Sequence, residues 1–495
     1  MKVTRFSVFH VAVLLVATFV LPIQLLAQRT RYKIIELGTL GGPNSYLTAP
    51  GQTVNNRGEI IAFSDTNVAD PYAPNCLQPD CLISHAIKSR EGAPVDLGAL
   101  PEANDSIPTW ITANGLISGI SENGEIDPQT GFPEVRAVFW NEDGAIKDLG
   151  TLGGNFSQAF GTNSRGLVVG VAANTIPDPF AQIMEFLPAA TQARAFLWQD
   201  GSMRDLGTLG SGNDADAQGV NERGQVVGYS FTGASANAAT GIPTVHPFLW
   251  ENGTMLDLGS LGGTIANPGS ILFSNGPTPA INNRGQVAGT STLAGDQNWH
   301  PFLWDGSVLQ DLGTLGGANG EAFWISNSGL VVGRGDFSPD SANHHAFLWK
   351  KGVMTDLGVL APCLNSTANA VNSAGQVVGD TGDCPGDGHP FLSEHGQPMI
   401  DLNTLVLPGS DLTLTAATFI NDRGEIVGAG VLASGEGRAV LLVPASAEEI
   451  AAAEALGISQ STSAAVHTDI RNSESRISGG RNRTLDVFRQ STQGH

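Results

Sequence analysis

The stretch Ala217-Gln218-Gly219-Val220-Asn221-Glu222-Arg223-Gly224-Gln225-Val226-Val227-Gly228, with His246-Pro247-Phe248-Leu249-Trp250 and Met255-Leu256-Asp257-Leu258-Gly259 after it, decides how this chain folds. It holds four short apolar segments, each rich in β-branched or aromatic residues and bounded by Gly or Asn, the pattern of short strands. Asn221 to Gly224 reads as a tight turn: the Asn side chain accepts hydrogen bonds from nearby backbone N–H groups, and Gly tolerates the positive φ that follows. Asn252-Gly253 suits a two-residue hairpin between the third and fourth strands. Phe248-Leu249-Trp250 places three large apolar side chains in succession, so both faces of the sheet must be covered.

The block recurs eight times. Its Asp-Leu-Gly step falls at Asp96, Asp148, Asp205, Asp257, Asp311, Asp356 and Asp401, with Glu36 in the same place at the start. Subtraction gives spacings of 60, 52, 57, 52, 54, 45 and 45 residues, the range of propellers and solenoids. Asn-X-X-Gly returns at Asn163, Asn282, Asn372 and Asn421, with Thr112 and Ser326 replacing Asn in two copies. Asp200-Gly201 and Asp305-Gly306 repeat the hairpin pair, and Trp140, Trp198, Trp304 and Trp349 repeat the aromatic that ends the third strand. The ends choose between architectures. Tyr32 to Gly38 is a fourth strand without its first three, and Arg438 to Val443 is a third strand without its fourth. Two ends that complete one sheet suit a ring, in which small sheets cover one another around an axis. The expectation is an all-β, eight-bladed β-propeller over residues 30–445, four antiparallel strands per blade, with the last blade closed by the N-terminal strand.

The repeats resemble the bacterial extracellular HAF family, which takes its name from the tripeptide seen here as His345-Ala346-Phe347. The resemblance rests on His-Ala/Pro-Phe-Leu-Trp combined with Asp-Leu-Gly-Thr-Leu-Gly-Gly and covers roughly residues 34–443. It implies a secreted or surface β-propeller-like repeat protein of unknown activity and carries over no catalytic residue. Ile87, Ser393 and Arg438-Ala439-Val440 depart from the pattern in the first, seventh and eighth copies.

Lys2 and Arg5, the apolar run from Val11 to Leu21 and then Leu25-Leu26-Ala27 follow the order of a secretory signal peptide, assigned to residues 1–27. No later segment is apolar for long enough to span a membrane. The chain carries 25 basic and 47 acidic residues for a net charge of −22, and loss of the leader makes it two charges more negative. That balance opposes phosphate backbones, so nucleic acid is not an expected partner. Cys76 and Cys81 share one loop, and Cys363 and Cys384 share the seventh repeat. In an exported chain two local disulfides are expected, and half a zinc knuckle lacks its second pair. Residues 446–457 form a short helix candidate, and 458–495 a polar, disordered tail.

His85, His246, His300, His345 and His389 occupy one place in five copies, where three sister copies carry Arg136, Arg194 and Arg438. Arginine neither ligates metal nor acts as a base at ordinary pH, so the shared property is hydrogen-bond donation, and a structural clasp is the better reading. The recurring Asp is spread over the repeats and cannot supply a converging carboxylate pair, so it is assigned to capping a turn. No catalytic residue, metal ligand or cofactor is assigned; Trp299 is the candidate surface aromatic for stacking on a sugar. Loops joining strands two to three and four to the next one vary in length and share one face, the long ones being 65–84, 172–193, 231–245 and 262–279. Variable loops on a rigid scaffold are where binding resides. The resulting expectation is a secreted or periplasmic, non-catalytic recognition scaffold for an extracellular glycan or protein, with a propeller-type polysaccharide hydrolase or lyase as the alternative.

Overall fold

In the unit built around Asn221 the four strands are Ala215–Val220, Val226–Phe231, Val245–Glu251 and Thr254–Asp257, paired antiparallel in that order. The first strand carries a bulge, since Ala217 faces Gly228 while Gly219 already faces Val227. Gly228, the last glycine of Gly-X-Val-Val-Gly, makes this possible. A Cβ there would overlap the carbonyl oxygen of Asp216 and approach the Phe248 ring to 2.8 Å. Asp200 with Gly201 and Asn252 with Gly253 both have positive φ, as the favoured two-residue hairpin turn requires. Asp305 departs from that geometry, whereas Lys351-Gly352 adopts it.

The computed structural model describes residues 29–455 apart from 49–50, 79, 129–130, 181–190, 239, 270–279, 340–342 and 385–387. The leader and the polar tail lie outside the described residues. Among those described, the strands form six sheets of four strands and one of eight. The eight-stranded sheet is two four-strand units joined by one parallel pair, Val245 with Ile265. The N-terminal strand Tyr32–Glu36 lies antiparallel to Gly437–Pro444, from Tyr32 opposite Pro444 to Glu36 opposite Val440, and completes the sheet of the C-terminal strands. Tyr32 is fully buried there, and burial pushes its phenol well above its ordinary range. One sequence assignment needs correction. Residues 262–279 are not all loop: Gly262–Pro268 is a first strand, so the extra length falls within the strand-one segment and not before it.

Hydrophobic clusters join consecutive sheets. One combines Val169, Ala195 and Leu206 of one unit with Ala217, Val226 and Phe248 of the next. Third-strand Phe196, Phe248, Phe302, Phe347 and Phe391 are fully buried, and each contributes about 1.5–3 kcal/mol by burial. At the centre, Trp110 and Trp324 stack at 6.1 Å, and Phe419 meets Trp324 edge-on at 5.1 Å. All three come from first strands far apart in sequence, which therefore converge.

The turn after the first strand links units as well as strands. Asn221 Oδ1 accepts from the N–H groups of Arg223 and Gln225, while its Nδ2 donates to the Asn282 carbonyl at 3.1 Å. The same donation runs from Asn163 to Asn221, Asn282 to Ser326, Asn372 to Asn421 and Asn55 to Thr112. Asn421 returns it to Asn55 at 3.0 Å, across 366 residues of chain. Where Thr112 and Ser326 lack an amide, Asn114 Nδ2 and Ser328 Oγ reach the neighbouring unit at Ser164 and Ser373. On the first strands, Ser106, Ser157 and Ser366 accept from Ala86, Ala137 and Ala346 of the preceding unit, and Ser45 does the same for Ala439.

Candidate functional site

Second strands are ten residues long in the first three units, Ile60–Ala69, Ile117–Ile126 and Val168–Pro177, against six in Val226–Phe231 and Val331–Asp336. Four more residues at about 3.3 Å each lift these hairpins roughly 13 Å above those of the shorter units. Each has a register break, between Asp65 and Ala69, Glu122 and Ile126, and Ala173 and Pro177. A side-chain turn causes it: Thr66 Oγ1, Asn123 Oδ1 and Asn174 Oδ1 accept from the N–H of Val68, Glu125 and Ile176. Near the hairpin ends Val68 and Ile176, at the turn, are 51 and 52% exposed, and Ile126, one residue beyond it, is 40% exposed.

The first hairpin leans on the second through Tyr72 Oη donating to the Gly124 carbonyl at 3.1 Å and Asn75 Nδ2 to that of Gly131 at 2.9 Å. The disulfide Cys76–Cys81 follows directly after these residues. Beneath, burial pushes the Asp65 carboxyl up to about 6, against hydrogen bonds from Ser84, Tyr46 and Asn44. Asp70, Asp105 and Glu122 come together from both units, all buried. Sequence reasoning did not find this trio, whose members lie on three different segments with no shared spacing. The second disulfide, Cys363–Cys384, joins the connection before the seventh unit's first strand to its strand-two end, on the same face.

The repeated histidines sit against the repeated aspartates of the same unit. His85, His246, His300 and His345 hold Nδ1 2.9–3.1 Å from both carboxylate oxygens of Asp96, Asp257, Asp311 and Asp356. His389 lies 3.1 Å from Asp401, and Arg194 Nε donates to Asp205 at 3.1 Å. The same carboxylates cap the next turn, accepting from the N–H of Gly98, Gly259, Gly313 and Gly358. Burial works to raise Asp96 and Asp257, but the histidine and glycine hydrogen bonds outweigh it and hold both below the usual carboxylate range. Arg136 and Arg438 depart from the scheme, reaching the carbonyls of Asn155 and Pro43 in the adjacent unit and pairing with Glu134 and Glu436. These side chains tie strand three to strand four or to the next unit. Trp299 is partly covered, packed against the cluster of Phe160 and Phe231, with its backbone N–H donating to Asn319 Oδ1.

No known family model matches this sequence, and no curated protein matches it. Solved structures similar in fold include the β-propeller domain of the Trilobed protease from Pyrococcus furiosus, at 10% identity and TM-score 0.39, covering 72% of this chain and 95% of that one. A Mycobacterium tuberculosis puromycin-hydrolyzing peptidase is similar at 12% identity and TM-score 0.41, over 82% of this chain and 61% of the peptidase. Porphyromonas gingivalis dipeptidyl peptidase 4 matches at 9% identity and TM-score 0.43, over 77% and 56%. The likeness is one of fold: repeated four-stranded antiparallel sheets, here with the N-terminal strand completing the C-terminal sheet.

Proposed function

We propose that this chain is an exported, eight-bladed β-propeller of the HAF-repeat type, and that it acts as a non-catalytic recognition scaffold for an extracellular glycan or protein. The blade count is supported by the circuit of turn hydrogen bonds, which runs from Asn55 to Thr112, Asn114 to Ser164, Asn163 to Asn221, Asn221 to Asn282, Asn282 to Ser326, Ser328 to Ser373, Asn372 to Asn421 and Asn421 back to Asn55. Export accords with two disulfides, which persist in oxidising compartments.

The observation that carries the binding reading is the row of three lengthened hairpins, with Val68 and Ile176 exposed at equivalent places and Ile126 exposed one residue further along its strand. Apolar side chains exposed on the lengthened hairpins of three consecutive units offer anchor points for a partner. Replacing all three with Ser leaves the buried core untouched. A glycan array run beside an assay for new reducing ends tests the proposal. A glycan bound by the parent is expected to lose at least about tenfold in affinity with the triple variant, since three buried apolar contacts are removed. Unchanged affinity rejects this face, and release of reducing ends from a polysaccharide favours the hydrolase or lyase alternative.

A further inference from the structure

Asp70 follows the second strand of the first unit, Asp105 precedes the first strand of the second unit, and Glu122 lies on that unit's second strand. They are 3, 0 and 0% exposed, and one carboxylate oxygen from each falls within 4.8 Å of the other two. Every carboxylate is held from behind. Asp70 Oδ1 accepts from the N–H of Tyr72 and from Asn104 Nδ2, Asp105 Oδ1 from the N–H of Ser84, and Glu122 Oε2 from the N–H groups of Asn104 and Asp105. The opposite oxygens, Asp70 Oδ2, Asp105 Oδ2 and Glu122 Oε1, are buried and have no hydrogen-bond partner. Among the described residues no ion pair involves any of the three.

Three buried carboxylates aimed at one another without a counter-charge cost several kcal/mol unless protonated or bridged by a cation. Another pair of units shows that the scaffold does not require the third carboxylate. There Asp214 occupies the place of Asp105, its Oδ1 accepting from the N–H of Ala193, and Asp178 the place of Asp70. Asn213 donates to Asp178 Oδ2 at 2.6 Å, and Phe231, whose N–H donates to the Asp214 carbonyl as that of Glu122 does to Asp105, stands where Glu122 would be. An apolar residue fills that position without disturbing the sheet, so Glu122 is there for its charge.

We infer that Asp70, Asp105 and Glu122 form a Ca²⁺ site that pins the first two lengthened hairpins to each other. All donors are oxygens, which selects a hard cation, and the span suits Ca–O distances of about 2.3–2.6 Å with water completing the shell. The site differs from the proposed ligand surface and does not depend on it, because its binding is read with the cation alone.

The test uses the full chain stripped with EGTA and titrated with CaCl₂ or MgCl₂, with thermal unfolding and Tb³⁺ luminescence as readouts. Ca²⁺ at 10 mM is expected to raise Tm by on the order of 2–5 °C, given the roughly 10⁻⁴–10⁻³ M affinities of extracellular sites. Tb³⁺ emission is to be competed by Ca²⁺ well before Mg²⁺. Glu122→Gln and Asp105→Asn are each expected to abolish both signals while unfolding in EGTA at or above the parent's Tm, because repulsion is relieved. A parent whose Tm and Tb³⁺ emission are indifferent to Ca²⁺, or variants that keep the parent's response, overturn the assignment.

Discussion

Asp216 is the side chain whose burial has the clearest thermodynamic consequence. It is 3% exposed on the first strand of its unit, opposite Tyr229. Burial pushes its carboxyl up to about 8, only partly offset by a hydrogen bond from Tyr229. An unfolded aspartate titrates near 3.9, so between about pH 4 and 8 the folded state holds a proton that the unfolded state has released. Stability from this position is therefore full below about pH 4 and declines as pH rises towards 8. Asp216→Asn removes the titration and keeps the shape. The Tm of the variant is expected to match the parent near pH 4.5 and to exceed it by several degrees at pH 8, and a gap that stays constant with pH would contradict the assignment. At this scale the sequence was half legible. The repeated Asn was readable as a turn acceptor, because that role is local, but its donation to the next unit was not, because no spacing within one repeat reveals what lies beside it. Asn55, which closes the circuit, carried the same Asn-X-X-Gly signal.

Within one sheet, order comes from a bulge and a glycine acting together. The first strand inserts an extra residue at Gln218, which brings the Asp216 carbonyl against the second strand at Gly228. The third-strand Phe248 ring then covers the same spot. Gly228→Ala has no room to relax, since both obstacles belong to the sheet itself, and it is expected to cost about 3 kcal/mol or more. Gly166→Ala lies in a turn at φ +75° with open space around its Cβ and is expected to cost only about 1 kcal/mol. Comparing urea midpoints of the two variants checks the ranking, and equal losses would mean that the bulge is not what selects glycine. The strand pattern, hairpin turns and Phe-Leu-Trp core were all readable in sequence, since periodicity and turn chemistry are local. The acid trio and the hairpin kinks were not, because they depend on which loops the ring places side by side.

For the whole molecule, the decisive contact is between chain ends. Tyr32 is buried, its N–H donates to the Leu405 carbonyl, its own carbonyl accepts from Leu407, and Arg31 donates to the carbonyls of Leu405 and Val406. The helix Ala447–Ala455 adds a further tie, capped by Ser446 and joined to Lys33 through Glu449. The offset of the two terminal repeats announced this pairing in sequence, because a fourth strand without its first three has no other sheet to complete. Deleting residues 29–38 would leave Gly437–Pro444 as an open edge with unpaired N–H and C=O groups, a template for association with other chains. The truncated protein is expected to lose at least about 10 °C in Tm and to form oligomers by light scattering, since one full strand of a buried sheet is lost. A synthetic peptide spanning residues 29–38 is expected to restore both Tm and monodispersity when added in excess, because it supplies the missing ladder in trans. A truncated chain that stays monomeric and equally stable would show that closure rests on the remaining contacts between the first and last units, among them Asn421 to Asn55, Ala439 to Ser45, Gly437 to Asn44 and Arg438 to Pro43.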